Sequence, residues 1–184
     1  HFMTKRFDRD DDGVKQHMQS LAAMAHYDFN MAGAYGYEQA IMIMQELGLG
    51  REEIEQQFRR LVFNIVARNQ DDHVKNIAFL MNQQGEWSLA PAFDVTYSYN
   101  PTGSWTATHQ MTLNGKRDGF ALADFRTCAK SALMKRGRAE AIVEEKKKEP
   151  FSSIEDLADR CGINKTVIEM LRGHGCLGTM PDSK

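Results

Sequence analysis

One amphipathic stretch limits what this chain can fold into. Over residues 51–67, Ile54, Phe58, Leu61, Val62, Ile65 and Val66 recur at helical spacing, so one face of a long helix must be buried. The helix ends in a polar run, Asn69-Gln70-Asp71-Asp72-His73-Val74-Lys75-Asn76. A buried helix that delivers its last turn into a loop of acids, an amide and basic groups is a scaffold for a site.

Around this helix the spacing predicts further elements. Residues 2–7 alternate as a strand, 8–13 form a turn, and 14–27 read as a helix with Met18, Leu21, Ala22 and Ala25 on one side. Residues 37–47 form a helix that stops at Gly48 and Gly50. Residues 77–81 and 87–90 flank Asn82-Gln83-Gln84-Gly85 as a hairpin. Residues 97–105 are a loop, 110–113 a short strand, and 121–135 a helix. The expected class is mainly α with a small β-hairpin.

The loop and the hairpin together carry the chemistry. After the hairpin comes Leu89-Ala90-Pro91-Ala92-Phe93-Asp94-Val95, which delivers one more carboxylate. Phosphotransfer needs a carboxylate for the incoming hydroxyl, hard oxygen ligands for magnesium, and cations near the phosphates. Asp71 fits the first role, with Asp72 as its neighbour and rival; Asn76 and Asp94 fit the second; His73 and Lys75 fit the third. The interval from Asp71 to Asn76 equals that of the protein-kinase catalytic loop. Each residue also has a structural reading: a turn Asp, a turn Asn, a strand-end Asp, a solvated Lys. For Asp94 that reading needs a carboxylate at a core edge without a partner, which is costly.

On these motifs, residues 1–138 resemble the C-terminal lobe of HipA-type serine/threonine kinases, the toxins of toxin–antitoxin pairs. In that family the loop reads N/A-T-D-x-H-x-K-N and the later element L-x-P-x-Y-D; here Gln70 stands for Thr and Phe93 for Tyr. The resemblance implies ATP and Mg2+ as cofactors, with Asp71 catalytic and Asn76 and Asp94 as metal ligands. It puts His73, Val74, Lys75, Asn76, Phe93 and Asp94 around the nucleotide, and Lys5, Arg6 and Phe7 in the hinge that meets the adenine. It also implies a protein substrate of the aminoacyl-tRNA synthetase class and a DNA-binding antitoxin as partner. A complete kinase also carries a Gly-rich loop and a strand Lys. Neither is recognisable here, and the chain opens within a predicted strand, so it is expected to be a fragment, a catalytic lobe without its nucleotide-clamping lobe.

Composition changes at Ala139. A charge run over 144–149 is broken by Pro150, and Ser152-Ser153-Ile154-Glu155-Asp156 opens a new helix with a capping pattern. Residues 139–184 read as a helix-hairpin-helix-like tail with Ile154, Leu157, Val167, Ile168 and Leu171 as its core. They resemble the C-terminus of PolC-type DNA polymerases, as if two sequences were joined near 141–144. A tail of this kind offers a competing function, nucleic-acid binding through backbone N–H groups and the cations Lys146, Lys147, Lys148, Lys165 and Arg172. An inert fragment is a third.

Two further patterns are weak. Asp8, Asp10, Asp12 and Gly13 begin a calcium-loop pattern that has Gln19 at its twelfth position. Cys161, His174 and Cys176 lack a paired C-x-x-C for zinc. With a net charge of −2 the whole chain has no electrostatic drive toward nucleic acid. Three scattered cysteines and no bilayer-length apolar run lead to the expectation of a reducing cytoplasm and no membrane association.

Overall fold

The computed structural model describes residues 5–147, the side chains of 145–147 excepted. Its elements are β1 (His17–Ser20), α1 (Leu21–Met24), α2 (Tyr37–Glu46), α3 (Arg51–Val66), β2 (Ala78–Met81), β3 (Trp87–Leu89), α4 (Leu122–Ser131) and α5 (Arg138–Lys147). The three strands form one antiparallel sheet in the order β1-β2-β3, with Ser20 opposite Ala78 and Phe79 opposite Leu89.

The helix over 51–67 forms as its spacing requires, and Phe58, Leu61 and Val62 are fully buried. They pack with Ile41 and Met44 of α2, Phe79 of β2 and Cys128 of α4 in one core. Each such side chain contributes roughly 1.5–3 kcal/mol on burial. Helices α2, α3 and α4 begin on residues without a capping side chain, Gly36, Gly50 and Ala121. Their N-cap N–H groups instead donate to Gln39, Glu53 and Asp124 three residues on. Glu53 also accepts from Leu89 N–H at 2.8 Å, which ties β3 to the start of α3.

Three expected elements differ. Residues 14–27 are not one helix: 17–20 pair with β2 and only a single helical turn follows. The spacing of Met18, Leu21, Ala22 and Ala25 suits a helix, but backbone pairing with β2 prevails, and local propensity cannot anticipate a distant partner. Residues 5–7 make no strand. Residues 110–113 add no strand to the sheet; Thr112 and Leu113 form isolated bridges to Gly36 and Lys116.

The end of the lobe extends beyond Arg138. Ala139, Ile142 and Val143 of α5 lie in the same core as α3 and α4. Arg138 donates to Glu55 of α3 at 2.7 Å. The composition break at Ala139 therefore does not coincide with a break in packing, because Ala139, Ile142 and Val143 of α5 face the core. The tail core, the capping pattern at 152–156 and Cys161, His174 and Cys176 lie outside the described residues.

Candidate functional site

The site begins where α3 ends. Ala67 caps the helix and Arg68 follows at φ +52, in the left-handed region. Asn69 N–H bonds Asn64 C=O at 2.9 Å and Arg68 N–H reaches Ile65 C=O at 3.4 Å. This is a Schellman closure with arginine where glycine is usual, and it turns the chain sharply into the loop.

Segment 68–72 is then stitched to segment 98–110. Arg68 C=O accepts from Ser98 N–H at 3.2 Å, and its guanidinium lies 4.4 Å from the Tyr99 ring centre. The buried Gln70 amide nitrogen donates to Thr106 C=O at 2.8 Å. Asp71 N–H donates to Ser98 Oγ at 2.9 Å. On the other side, Leu21 and Ala22 N–H of α1, free helix-start donors, bond the carbonyls of Ile77 and Val74 at 2.7 and 3.1 Å. The loop is fixed along both edges.

Its two adjacent carboxylates part company. Asp72 is buried and fully engaged: it accepts from Tyr37 OH at 2.6 Å, His109 Nδ1 at 2.9 Å and Gln110 N–H at 2.8 Å. Burial, and then the neighbouring Asp72 charge, hold the Tyr37 phenol well above its ordinary pKa, so it stays a donor. The Asp71 side chain is 47% exposed, and His73 Nε2 lies 3.9 Å from its carboxylate. Only Asp71 has a carboxylate available to an incoming group.

Asn76 closes the loop. Its N–H bonds His73 C=O at 2.9 Å, and its Nδ2 donates to Asp71 C=O at 3.0 Å. That bond leaves Oδ1 as the uncommitted amide atom, the hard oxygen that magnesium takes. Asn76, His73 and Phe93 line one cavity. The Phe93 ring lies 5.8 Å from that of Phe7, which brings the predicted hinge segment against this element. Lys5 and Arg6 themselves are exposed and pair with Asp11 and Asp8.

Asp94 differs from expectation. It is exposed rather than at a core edge, so a burial cost does not apply to it, and it sits at φ +54. That conformation is uncommon for a non-glycine residue and costs roughly 1–3 kcal/mol, strain that recurs at functional positions. Its carboxylate makes no hydrogen bond to the described residues, and neither Asp94 nor Asp71 lines the cavity that Asn76 and Phe93 share. An Asn amide oxygen with a free carboxylate is a fitting donor pair for magnesium, which keeps several waters or phosphate oxygens. Among the described residues no group of three His, Cys, Asp or Glu could hold a metal.

Val74 turns its side chain into the core and gives its carbonyl to α1, which leaves its N–H. The Lys75 ammonium rests 3.5 Å from the centre of the Phe29 ring, which is itself 6.3 Å from the His73 ring. Sequence reasoning missed Tyr37, His109, Gln110, Ser98 and Phe29. Their contacts with the loop span 27 to 38 positions for the hydrogen-bonded four, and no local pattern carries that information.

A family model, the HipA-like C-terminal domain, matches residues 1–154. The chain belongs to the HipA-like C-terminal domain family. The fold agrees. A HipA chain from Shewanella oneidensis MR-1, solved with HipB and operator DNA, superposes with a TM-score of 0.63 at 13% identity. The match covers 94% of this chain and 45% of that one, so the chain spans less than half of its structural relative. Residues 132–184 match a helix-hairpin-helix motif model. PolC-type DNA polymerase III of Thermotoga petrophila is 44% identical over 46 residues, 25% of this chain and 3% of the polymerase. The Bacillus cereus enzyme is 50% identical over 42 residues, again 3% of its length. The HipA-like and helix-hairpin-helix matches overlap between 132 and 154, where α5 lies. No helix among the described residues is long and apolar enough to cross a membrane.

Proposed function

We propose that this HipA-family lobe serves protein serine/threonine phosphorylation, in a protein that acts as the toxin of a toxin–antitoxin pair. The observation that carries the reading is the division between neighbours: Asp72 is consumed by three buried hydrogen bonds, while Asp71 is exposed on a loop fixed along both edges. A general base must be held still and remain accessible. Asp71 meets both conditions.

In this reading Asp71 orients the acceptor hydroxyl and takes its proton as the acceptor oxygen bonds the γ-phosphorus of ATP. The bond from that phosphorus to the bridging oxygen breaks and ADP leaves. Asn76 Oδ1 and the Asp94 carboxylate would hold magnesium, which when bound neutralises phosphate charge. His73 and Lys75 supply the cationic side, Lys75 after leaving the Phe29 ring. Phe7 and Phe93 form an apolar wall beside the hinge, where Lys5, Arg6 and Phe7 would meet the adenine. The HipA resemblance extends the reading to a substrate of the aminoacyl-tRNA synthetase class and a DNA-binding antitoxin. The polymerase-like matches span only 42–46 residues, so a nucleic-acid-binding role for the whole chain is not favoured.

The test is Asp71→Asn in a full-length protein carrying this lobe. Transfer of the γ-phosphate should fall about 10²–10⁴-fold with folding unchanged. A rate within a few-fold of the parent would remove Asp71 from the base role.

A further inference from the structure

Four buried polar side-chain atoms among the described residues find no hydrogen-bond partner within the protein: Gln57 Oε1, Arg60 Nε, Asn69 Oδ1 and His73 Nδ1. All four residues line one cavity of about 40 Å3, between α3, the loop 69–76 and segment 92–95. Gln57 is 1% exposed and Asn69 3%. Unpaired buried polar atoms are rare and cost about 1–3 kcal/mol each, so four around one space need a common explanation.

The hydrogen-bond directions identify what fits. The Asp72 carboxylate only accepts, so Tyr37 OH donates to it. That hydroxyl oxygen then accepts from Asn64 Nδ2 at 3.0 Å, and Asn64 Oδ1 accepts from Asn69 Nδ2 at 2.9 Å. Asn69 Oδ1 is thereby committed as an acceptor. Arg60 brings a donor with no carboxylate partner among the described residues, and burial lowers its pKa only to about 10, so it stays charged at neutral pH. An anion would meet the Asn69 oxygen unfavourably, and a metal cation would meet Arg60. A ligand that both donates and accepts satisfies all of them. Water is that ligand, and the volume suits about three molecules, since each needs roughly 10–15 Å3.

We propose that an ordered water cluster in this cavity joins Arg60 and Gln57 of α3 to the His73 ring, making Arg60 and Gln57 positioning residues of the loop. His73 then spans the two environments, Nδ1 toward the cavity and Nε2 toward Asp71 at 3.9 Å. The cluster extends the buried relay Asn69–Asn64–Tyr37–Asp72 to the residue beside the proposed base. The functional weight of this inference rests on the phosphotransfer reading; the cluster itself does not.

The test uses the 184-residue chain by NMR, without nucleotide, and so stands apart from any failure of the kinase reading. Water-to-protein Overhauser contacts should appear at Asn69 and His73 side-chain signals. In Gln57→Leu they should be lost, the His73 ring nitrogens should shift, and the Asp71 and Asn76 amides should exchange roughly five- to tenfold faster, the effect of about one hydrogen bond. Arg60→Met should act likewise and Arg60→Lys, which keeps a donor, should restore much of the His73 signature. Should Arg60→Met fail to fold, Gln57→Leu alone gives the answer. A dry cavity, or His73 resonances and loop exchange unmoved by Gln57→Leu, overturns the proposal.

Discussion

Asp71 and Asp72 are identical in chemistry and adjacent in sequence, yet they belong to two different regions of the molecule. Asp72 faces the underside of the loop, where Tyr37, His109 and Gln110 N–H surround it; Asp71 faces outward with half of its side chain in solvent. The underside fixes the loop and the open face is left to solvent. The lesson is that a carboxylate's availability is set by its surroundings, since an acceptor held by three buried donors and closed off from solvent is out of reach of a substrate proton.

Removing the underside carboxylate should have the largest effect. Asp72→Ala strands the Tyr37 hydroxyl, the His109 ring N–H and the Gln110 N–H in the interior, at a cost of about 3–5 kcal/mol. Asp71→Ala should stay within about 0.5 kcal/mol of the parent, as surface substitutions do. Urea unfolding of both variants checks this, and equal losses would erase the contrast between the two faces.

Next in size is the support behind α3. Ile142 is 1% exposed in the core that α5 shares with α3 and α4, so Ile142→Ala should lower stability by about 2–4 kcal/mol. A loss below about 0.5 kcal/mol would place the lobe's end before α5 instead.

The smallest effect comes from a third carboxylate, and it sharpens what burial with partners does. Asn114 Nδ2, Ala121 N–H and Lys116 Nζ hold the Asp124 side chain, in that order of influence, with its pKa lowered to about 2. Because the folded value lies below the unfolded one, its stabilisation is complete above about pH 4. It is lost as pH falls from there toward about 2. Thermal melts across that window should therefore decline less steeply in Asp124→Asn than in the parent; parallel curves would contradict the assignment.

How much was legible in advance follows from the range of the interactions. The α3 face, the loop after it and the hairpin all rest on local spacing, and they form at or within a residue or two of the expected places. The reading of 14–27 as a helix failed because β1 exists only by virtue of β2, about sixty positions away. The packing of α5 was not legible for a related reason: composition registers charge along α5, while packing depends on which of its residues face inward, Ala139, Ile142 and Val143.

The same division holds at the site. The sequence by itself supplied the proposed inventory, Asp71, Asn76 and Asp94 with His73 and Lys75, because residue type and interval suffice to propose it. Only the tertiary structure gave the physical reason why Asp71 rather than Asp72 is accessible, put Lys75 on Phe29, and moved Asp94 from a core edge to the surface at positive φ. It alone gathered Gln57, Arg60, Asn69 and His73 around one cavity. Hydrogen bonding and desolvation act through space, so a residue's neighbours decide its role, and those neighbours are fixed only when distant segments pack.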